Sequence, residues 1–132
     1  MKMLALLAVA LALVVSGCAK MHGRDAGAPD PRFPQVSVTN GVIVVNQEPI
    51  LVPRGEKDFR IAWQLPKGTG LAFPRNGIVV EAPEGEFRCG LENDIEFVCI
   101  FRNSVPERRY KYTIRVNQDG RALEPLDPYI RN

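Results

Sequence analysis

Apolar and polar side chains alternate with a period of two along most of the chain from Phe33 onward. Successive side chains of an extended strand point to opposite faces, so this period is typical of a β-strand with one buried face. The alternation is clearest in residues 59–65 and 110–116, whereas no ten-residue window carries a helical stripe. The sequence therefore predicts an all-β chain.

Turn residues divide the pattern into short pieces. Asn40-Gly41 joins residues 36–39 to residues 42–45, and this dipeptide predicts a hairpin because a type I′ turn needs positive φ at both central positions. Further turns are predicted at residues 74–77 and 117–120. Nine of the eleven prolines follow residue 32, which also disfavours helices.

About seven to nine short strands at this spacing predict an immunoglobulin-like antiparallel β-sandwich, with a small β-barrel as the second choice. Trp63 precedes both Cys89 and Cys99, whereas in antibody domains one cysteine precedes the tryptophan. Since its parity matches Phe59 and Ile61, we expect Trp63 in the core; a ligand-stacking platform is the alternative.

The first residues have a different pattern. Met1-Lys2-Met3 is positively charged, and Leu4 to Val15 is an unbroken apolar run of twelve residues. This is the pattern of a secretory leader. A membrane-spanning helix needs about 20 such residues, so a permanent anchor helix is the less favoured interpretation.

Val15-Ser16-Gly17-Cys18 follows at the end of this run. The tetrapeptide resembles the lipobox of bacterial lipoproteins. The resemblance implies that residues 1–17 are removed as a signal peptide and that Cys18 is acylated with fatty acids such as palmitate. Two or three acyl chains hold a protein stably at a bilayer. By the rule known for enteric bacteria, Ala19 favours the outer membrane, so we expect a lipid-anchored envelope protein facing the periplasm.

Residues 18–32 are rich in Gly, Ala and Pro and predict a flexible tether. Residues 33–132 then form one small domain. Removal of the leader takes away one basic residue, Lys2, which leaves 16 basic and 15 acidic side chains. This near-neutral balance, with basic residues scattered, does not favour nucleic-acid binding.

Cys89 and Cys99 are the two cysteines left once Cys18 carries lipid. In an oxidising compartment such a pair predicts a disulfide, and an antiparallel strand pair would place the two side by side. Two buried free thiols are the alternative. A redox-active pair would need the closer C-x-x-C spacing.

Candidate chemistry is sparse. His22 is the single histidine and lies in the predicted tether, which holds no base in place, and Met21 beside it defines no copper geometry. Glu92, Asp94 and Glu96 could gather calcium, but we expect a solvated strand edge with residues 92–94 at a hairpin tip. We expect no cofactor, no metal and no catalytic residues.

A basic cluster is the candidate binding site, and its residues are Arg102, Arg108, Arg109 and Tyr110. Arginine and tyrosine are favoured anchors of interfaces. Such a patch would suit a protein partner, anionic lipid headgroups or peptidoglycan carboxylates. A solvated loop between strands is the alternative.

Three functional classes stay open. The first is a non-enzymatic envelope module that binds an unknown envelope protein or builds an assembly. The second is an inhibitor of a hydrolase such as lysozyme, with residues 90–94 as a protruding loop. The third is a glycan-acting enzyme that uses carboxylates alone. The segment from Tyr112 to Ile130 resembles the ending of small uncharacterised exported proteins of Gram-negative bacteria, and this resemblance implies no activity.

Overall fold

The computed structural model describes residues 27–132. Within this range the chain forms twelve β-strands and no helix. The strands are β1 (Val36–Thr39), β2 (Val42–Val45), β3 (Ile50–Leu51), β4 (Phe59–Gln64), β5 (Leu71–Ala72), β6 (Ile78–Val80), β7 (Phe87–Asn93), β8 (Glu96–Phe101), β9 (Arg109–Ile114), β10 (Asn117–Gln118), β11 (Arg121–Ala122) and β12 (Tyr129–Arg131).

The strands form four sheets. A three-stranded antiparallel sheet has the order β4-β8-β7, and a four-stranded sheet has the order β3-β12-β9-β6, in which β3 and β12 are parallel. The hairpin β1-β2 and the small sheet β11-β10-β5 complete the described part. Residues 32–35 run alongside β4, where the amide of Ala62 donates to the carbonyl of Arg32 at 2.8 Å.

The two larger sheets pack face to face through aromatic side chains. Trp63 of β4 contacts Tyr112 of β9, with ring centroids 5.3 Å apart. The ring centroids of Phe87 and Phe101 lie 5.2 and 5.5 Å from that of Tyr110, which is also on β9. Since none of the four sheets closes on itself, the predicted all-β sandwich is confirmed and the barrel is not observed.

The predicted alternation identifies the core residues of β4 correctly, and the predicted Asn40-Gly41 turn is present. On β4, Phe59, Ile61 and Trp63 are buried and Arg60 between them is exposed. At the predicted hairpin, Asn40 and Gly41 have φ of 51° and 75°, as a type I′ turn requires. The hydrophobic pattern and the turn residues therefore agree, which fixes the strand register.

The structure has more strands than predicted, in part because the predicted turn at residues 117–120 begins with a short strand, β10, and only Asp119 and Gly120 form the turn. β9 ends at Ile114, and Asn117–Gln118 pair instead with β5 and β11. Contacts with the domain also begin before Phe33, since the side-chain amide of Gln47 donates to the carbonyl of Asp30 at 2.7 Å. The predicted leader, Cys18 and His22 lie outside the described residues.

Candidate functional site

The outer face of the four-stranded sheet carries a basic and aromatic cluster. In the register of β9 and β12, Arg109 lies opposite Arg131. The intervening residues Tyr110 and Ile130 point inward and are buried. Because side chains alternate between faces, Arg109, Tyr129 and Arg131 all project from the outer face.

These side chains border a cleft with a volume of about 640 Å³. The residues that line this arginine cleft are Glu48, Pro49, Glu107, Arg108, Arg109, Tyr129 and Arg131. The guanidinium of Arg109 stacks over the Tyr129 ring at 3.6 Å from its centroid. An aromatic face attracts a guanidinium, so this contact orients Arg109.

The arginine cleft has an excess of positive charge. Among the described residues, Glu107 is ion-paired with Arg54 at 2.9 Å. None of the cleft residues Arg108, Arg109 and Arg131 forms an ion pair with a described carboxylate. Glu48 is the remaining acidic group of the lining. Planar guanidinium groups match carboxylate and phosphate oxygens, so the cleft suits an anionic ligand.

Two buried amide side chains hold the loop that carries Arg108. The Nδ2 of Asn132 donates to Oδ1 of Asn103 at 2.6 Å, and the backbone amide of Arg108 donates to Oδ1 of Asn132 at 2.6 Å. Asn103 in turn donates to the carbonyls of Pro53 and Glu56. These hydrogen bonds fix the loop to the strands and turns around it. No buried side-chain polar atom of the described residues is left without a partner.

A buried carboxylate fixes the same loop from the other side. Glu86 accepts from the backbone amide of Ser104 at 2.8 Å and also from the Ser104 hydroxyl. Burial raises the pKa of the nearby Tyr110 phenol, the Glu86 carboxylate raises it further, and Arg108 acts in the opposite direction. Tyr110 is therefore a neutral core side chain.

The structure does not bring the predicted binding patch together. Tyr110 is 3% exposed and packs in the core, so it offers no surface anchor. Arg102 borders a different, smaller cleft with Arg88 and Asp58. Only Arg108 and Arg109 of the predicted four line the arginine cleft.

Sequence reasoning missed Tyr129 and Arg131. Both stand far along the chain from Arg109, and they become its neighbours only through the pairing of β12 with β9. Their one signal was local: Tyr129 and Arg131 flank the apolar Ile130, which is the alternation of a strand with a polar outer face.

The three carboxylates considered for calcium have separate environments. Glu96 is paired with Arg60 at 3.4 Å and accepts from Gln64 at 3.0 Å. Glu92 lies at an irregularity between β7 and β8, and Asp94 lies in the turn between these strands. No group of three or more His, Cys, Asp or Glu suited to a metal occurs in residues 27–132.

Residues 90–94 are not a free loop. Residues 90–93 belong to β7. The following turn is bonded to its neighbours, because the amide of Phe73 donates to the carbonyl of Asp94 at 2.7 Å and that of Leu65 to the carbonyl of Ile95 at 2.9 Å. The segment is therefore an exposed strand followed by a turn that is held by backbone hydrogen bonds.

The predicted disulfide between Cys89 and Cys99 is confirmed. The two residues are direct partners in the register of β7 and β8, with Cα atoms 4.0 Å apart. Cys99 is buried and Cys89 is exposed. The bridge therefore joins neighbouring strands of one sheet, unlike the bridge of antibody domains, which joins two sheets.

Trp63 is a core residue. Its side chain is fully buried, and its Nε1 donates to the Tyr112 hydroxyl at 3.3 Å. Burial raises the pKa of Tyr112 above its ordinary value of 10.0, although the hydrogen bond from Trp63 acts in the opposite direction. The indole is enclosed by protein and offers no platform for a ligand.

Comparison with models of known protein families finds no match, and comparison with curated proteins finds none either. No helix in residues 27–132 is long and apolar enough to span a membrane.

Proposed function

We propose that this protein is a lipid-anchored lipoprotein of the bacterial cell envelope, and that its β-sandwich is a non-enzymatic module that binds an anionic partner. The leader and the lipobox at Val15 to Cys18 support the anchor. The Cys89–Cys99 disulfide fits an oxidising compartment such as the periplasm. Ala19 after the acylated cysteine favours the outer membrane.

The arginine cleft is the observation that carries the binding role. Arg108, Arg109 and Arg131 line one cleft without an ion pair to a described carboxylate, and Tyr129 lies among them. Guanidinium groups are donors that keep their positive charge throughout the neutral pH range, so they suit recognition better than acid–base catalysis. Arg109 and Arg131 are mounted on paired strands, and Arg108 is on a loop held by Asn132, so all three are kept in place for a ligand.

The glycan-acting alternative requires two carboxylates in one cleft, and Glu48 and Glu107 both line this one. The general acid of such an enzyme must be protonated before it acts. Glu107 is 67% exposed, and its carboxylate is already engaged by Arg54 at 2.9 Å, so it is not free to act on a substrate. The inhibitor alternative relied on residues 90–94 as a protruding loop, and these residues form a strand and a bonded turn. We therefore favour binding.

The test is an NMR titration of the full chain, purified in detergent. Citrate and inorganic phosphate are added in separate titrations, and the amide chemical shifts are the readout. We expect amide shifts to concentrate at Arg109, Tyr129 and Arg131. The double variant Arg109→Gln/Arg131→Gln should lose them. The matched control Lys67→Gln/Arg121→Gln removes the same charge at exposed positions outside the cleft and should retain them. Shifts that are absent, or equal in both variants, would overturn the proposal.

A further inference from the structure

We propose that the ligand of the arginine cleft is the phosphate of anionic phospholipid headgroups, and that the domain docks by this face onto the leaflet that holds its anchor. This inference rests on the proposed function and names the ligand for the same site. It commits to a lipid source of the anion rather than to an acidic protein.

The first support is a continuous row of side chains across three strands. Leu51 of β3 is the register partner of Arg131 on β12, and Arg131 is the partner of Arg109 on β9. Register partners project from the same face of a sheet, so the three side chains stand side by side. Together with Tyr129 they form the docking face. Leu51 is 61% exposed although it is a large apolar residue.

The second support is the place where the chain leaves the domain. A largely apolar groove of about 450 Å³ adjoins the docking face, and its lining residues are Ala28, Pro29, Pro31, Asn46, Gln47, Pro49, Leu51 and Pro53. Leu51 belongs to both the groove and the docking face, and Pro49 lines both the groove and the arginine cleft. The first described residues thus start at the border of the docking face.

The third support is the length of chain before this point. Ala28 stands ten positions after Cys18 along the chain. Whatever its conformation, this segment reaches at most about 35 Å. With the sulfur of Cys18 at the headgroups, the border of the docking face stays within this distance of the bilayer. A short tether raises the effective concentration of the face at the membrane, so weak contacts are sufficient for docking.

The chemistry of the docking face fits a lipid surface. Guanidinium groups pair with phosphate oxygens, tyrosine is favoured at the level of the headgroups, and an exposed leucine can enter the acyl boundary. A site for the carboxylates of a soluble partner would need the arginines but not an apolar residue at the exit of the tether. The combination of Leu51, Tyr129 and the arginines therefore favours the bilayer.

The experiment uses the full lipoprotein in vesicles of phosphatidylcholine, alone or mixed with phosphatidylglycerol. Hydroxyl-radical footprinting reports the accessibility of Leu51 and Tyr129, with the exposed Leu91 on β7 as internal reference. We expect protection of Leu51 and Tyr129 on the mixed vesicles alone, and its loss at high salt because salt screens these charges. Arg109→Gln/Arg131→Gln should lower the ratio of docked to undocked protein about thirtyfold, and Lys67→Gln/Arg121→Gln should leave it unchanged.

The outcomes separate the two proposals. Equal accessibility on both kinds of vesicle, or protection that persists in Arg109→Gln/Arg131→Gln, would overturn docking through lipid phosphate. If citrate and phosphate still shift the cleft resonances in that case, the binding module stands and its ligand is a soluble or protein-borne anion. If neither anion binds and no residue is protected, both proposals fail. An unchanged NMR spectrum outside the cleft confirms that each variant is folded.

Discussion

The guanidinium of Arg109 lies over the ring of Tyr129, 3.6 Å from the ring centroid. The two residues belong to strands β9 and β12, which are neighbours in the sheet although about twenty residues separate them along the chain. The contact places a charged donor at the edge of the arginine cleft in a defined orientation.

Replacing Tyr129 by leucine should weaken phosphate binding, because the arginine loses the aromatic face that orients it. A cation–π contact at a partly exposed site corresponds to a two- to fivefold change in affinity, at about 0.5–1 kcal/mol. Tyr129→Phe keeps the ring and should bind as the wild type does. The NMR titration compares the three proteins. Equal weakening in both variants would assign the effect to the hydroxyl group and contradict the stacking argument.

The alanine variant of Asn132 should be markedly less stable. Its side chain bonds to Arg108, Asn103 and Val105, and the residue is buried. Removing it leaves buried partners unsatisfied, at a cost of about 1–3 kcal/mol for such groups. Urea unfolding measures the difference. Asn76→Ala, at an exposed turn position, is the control and should change the free energy of unfolding by about 0.5 kcal/mol or less. Similar losses in both variants would mean that the network does not fasten the loop.

Trp63→Ala should lower the free energy of unfolding by about 3–5 kcal/mol, since it leaves a large cavity between the two sheets. Chemical denaturation followed by circular dichroism measures the change. Val42→Ala, on the exposed side of β2, should cost about 0.5 kcal/mol or less. A small effect at Trp63 would contradict the packing of β4 against β9.

Stability should fall at alkaline pH because of the buried tyrosines. The folded protein raises the pKa of Tyr112 above 10.0, chiefly by burial, so the unfolded chain loses this proton first as the pH rises. Below about pH 10 the phenol is neutral in both states, and its contribution to the free energy of unfolding is complete. Above that pH the unfolded chain loses the proton, and this contribution decreases. Thermal unfolding across this range should show the decline.

Tyr112→Phe isolates this contribution. The decline above about pH 10 should become shallower, whereas Tyr110, whose pKa is also raised, still contributes to it. At neutral pH the variant should be about 1–3 kcal/mol less stable, since the buried indole N–H of Trp63 loses its acceptor. An unchanged alkaline slope would show that Tyr112 is not the group that titrates.

The sequence was sufficient to predict the core and the hairpins because both depend on local rules. The period of two placed Phe59, Ile61 and Trp63 on one buried face, and the Asn40-Gly41 dipeptide supplied the positive φ of a type I′ turn. The cysteine pairing followed from its spacing across two adjacent strands. These features need no knowledge of how distant strands meet.

The cleft could not be predicted in the same way. Arg109 and Arg131 meet through the register of β9 and β12, which local patterns do not specify. The predicted patch joined Arg109 to Tyr110 because they are adjacent in sequence. The alternation of a strand sends such neighbours to opposite faces, so period two already argued against including Tyr110.

Metabolic labelling with a palmitate analogue, combined with the mass of the N-terminal peptide, tests the lipid anchor most directly. We predict that Cys18 carries the label, that residues 1–17 are absent, and that Cys18→Ser abolishes labelling. An unlabelled chain that still begins at Met1 would contradict the anchor, and with it the placement of the arginine cleft at an envelope membrane.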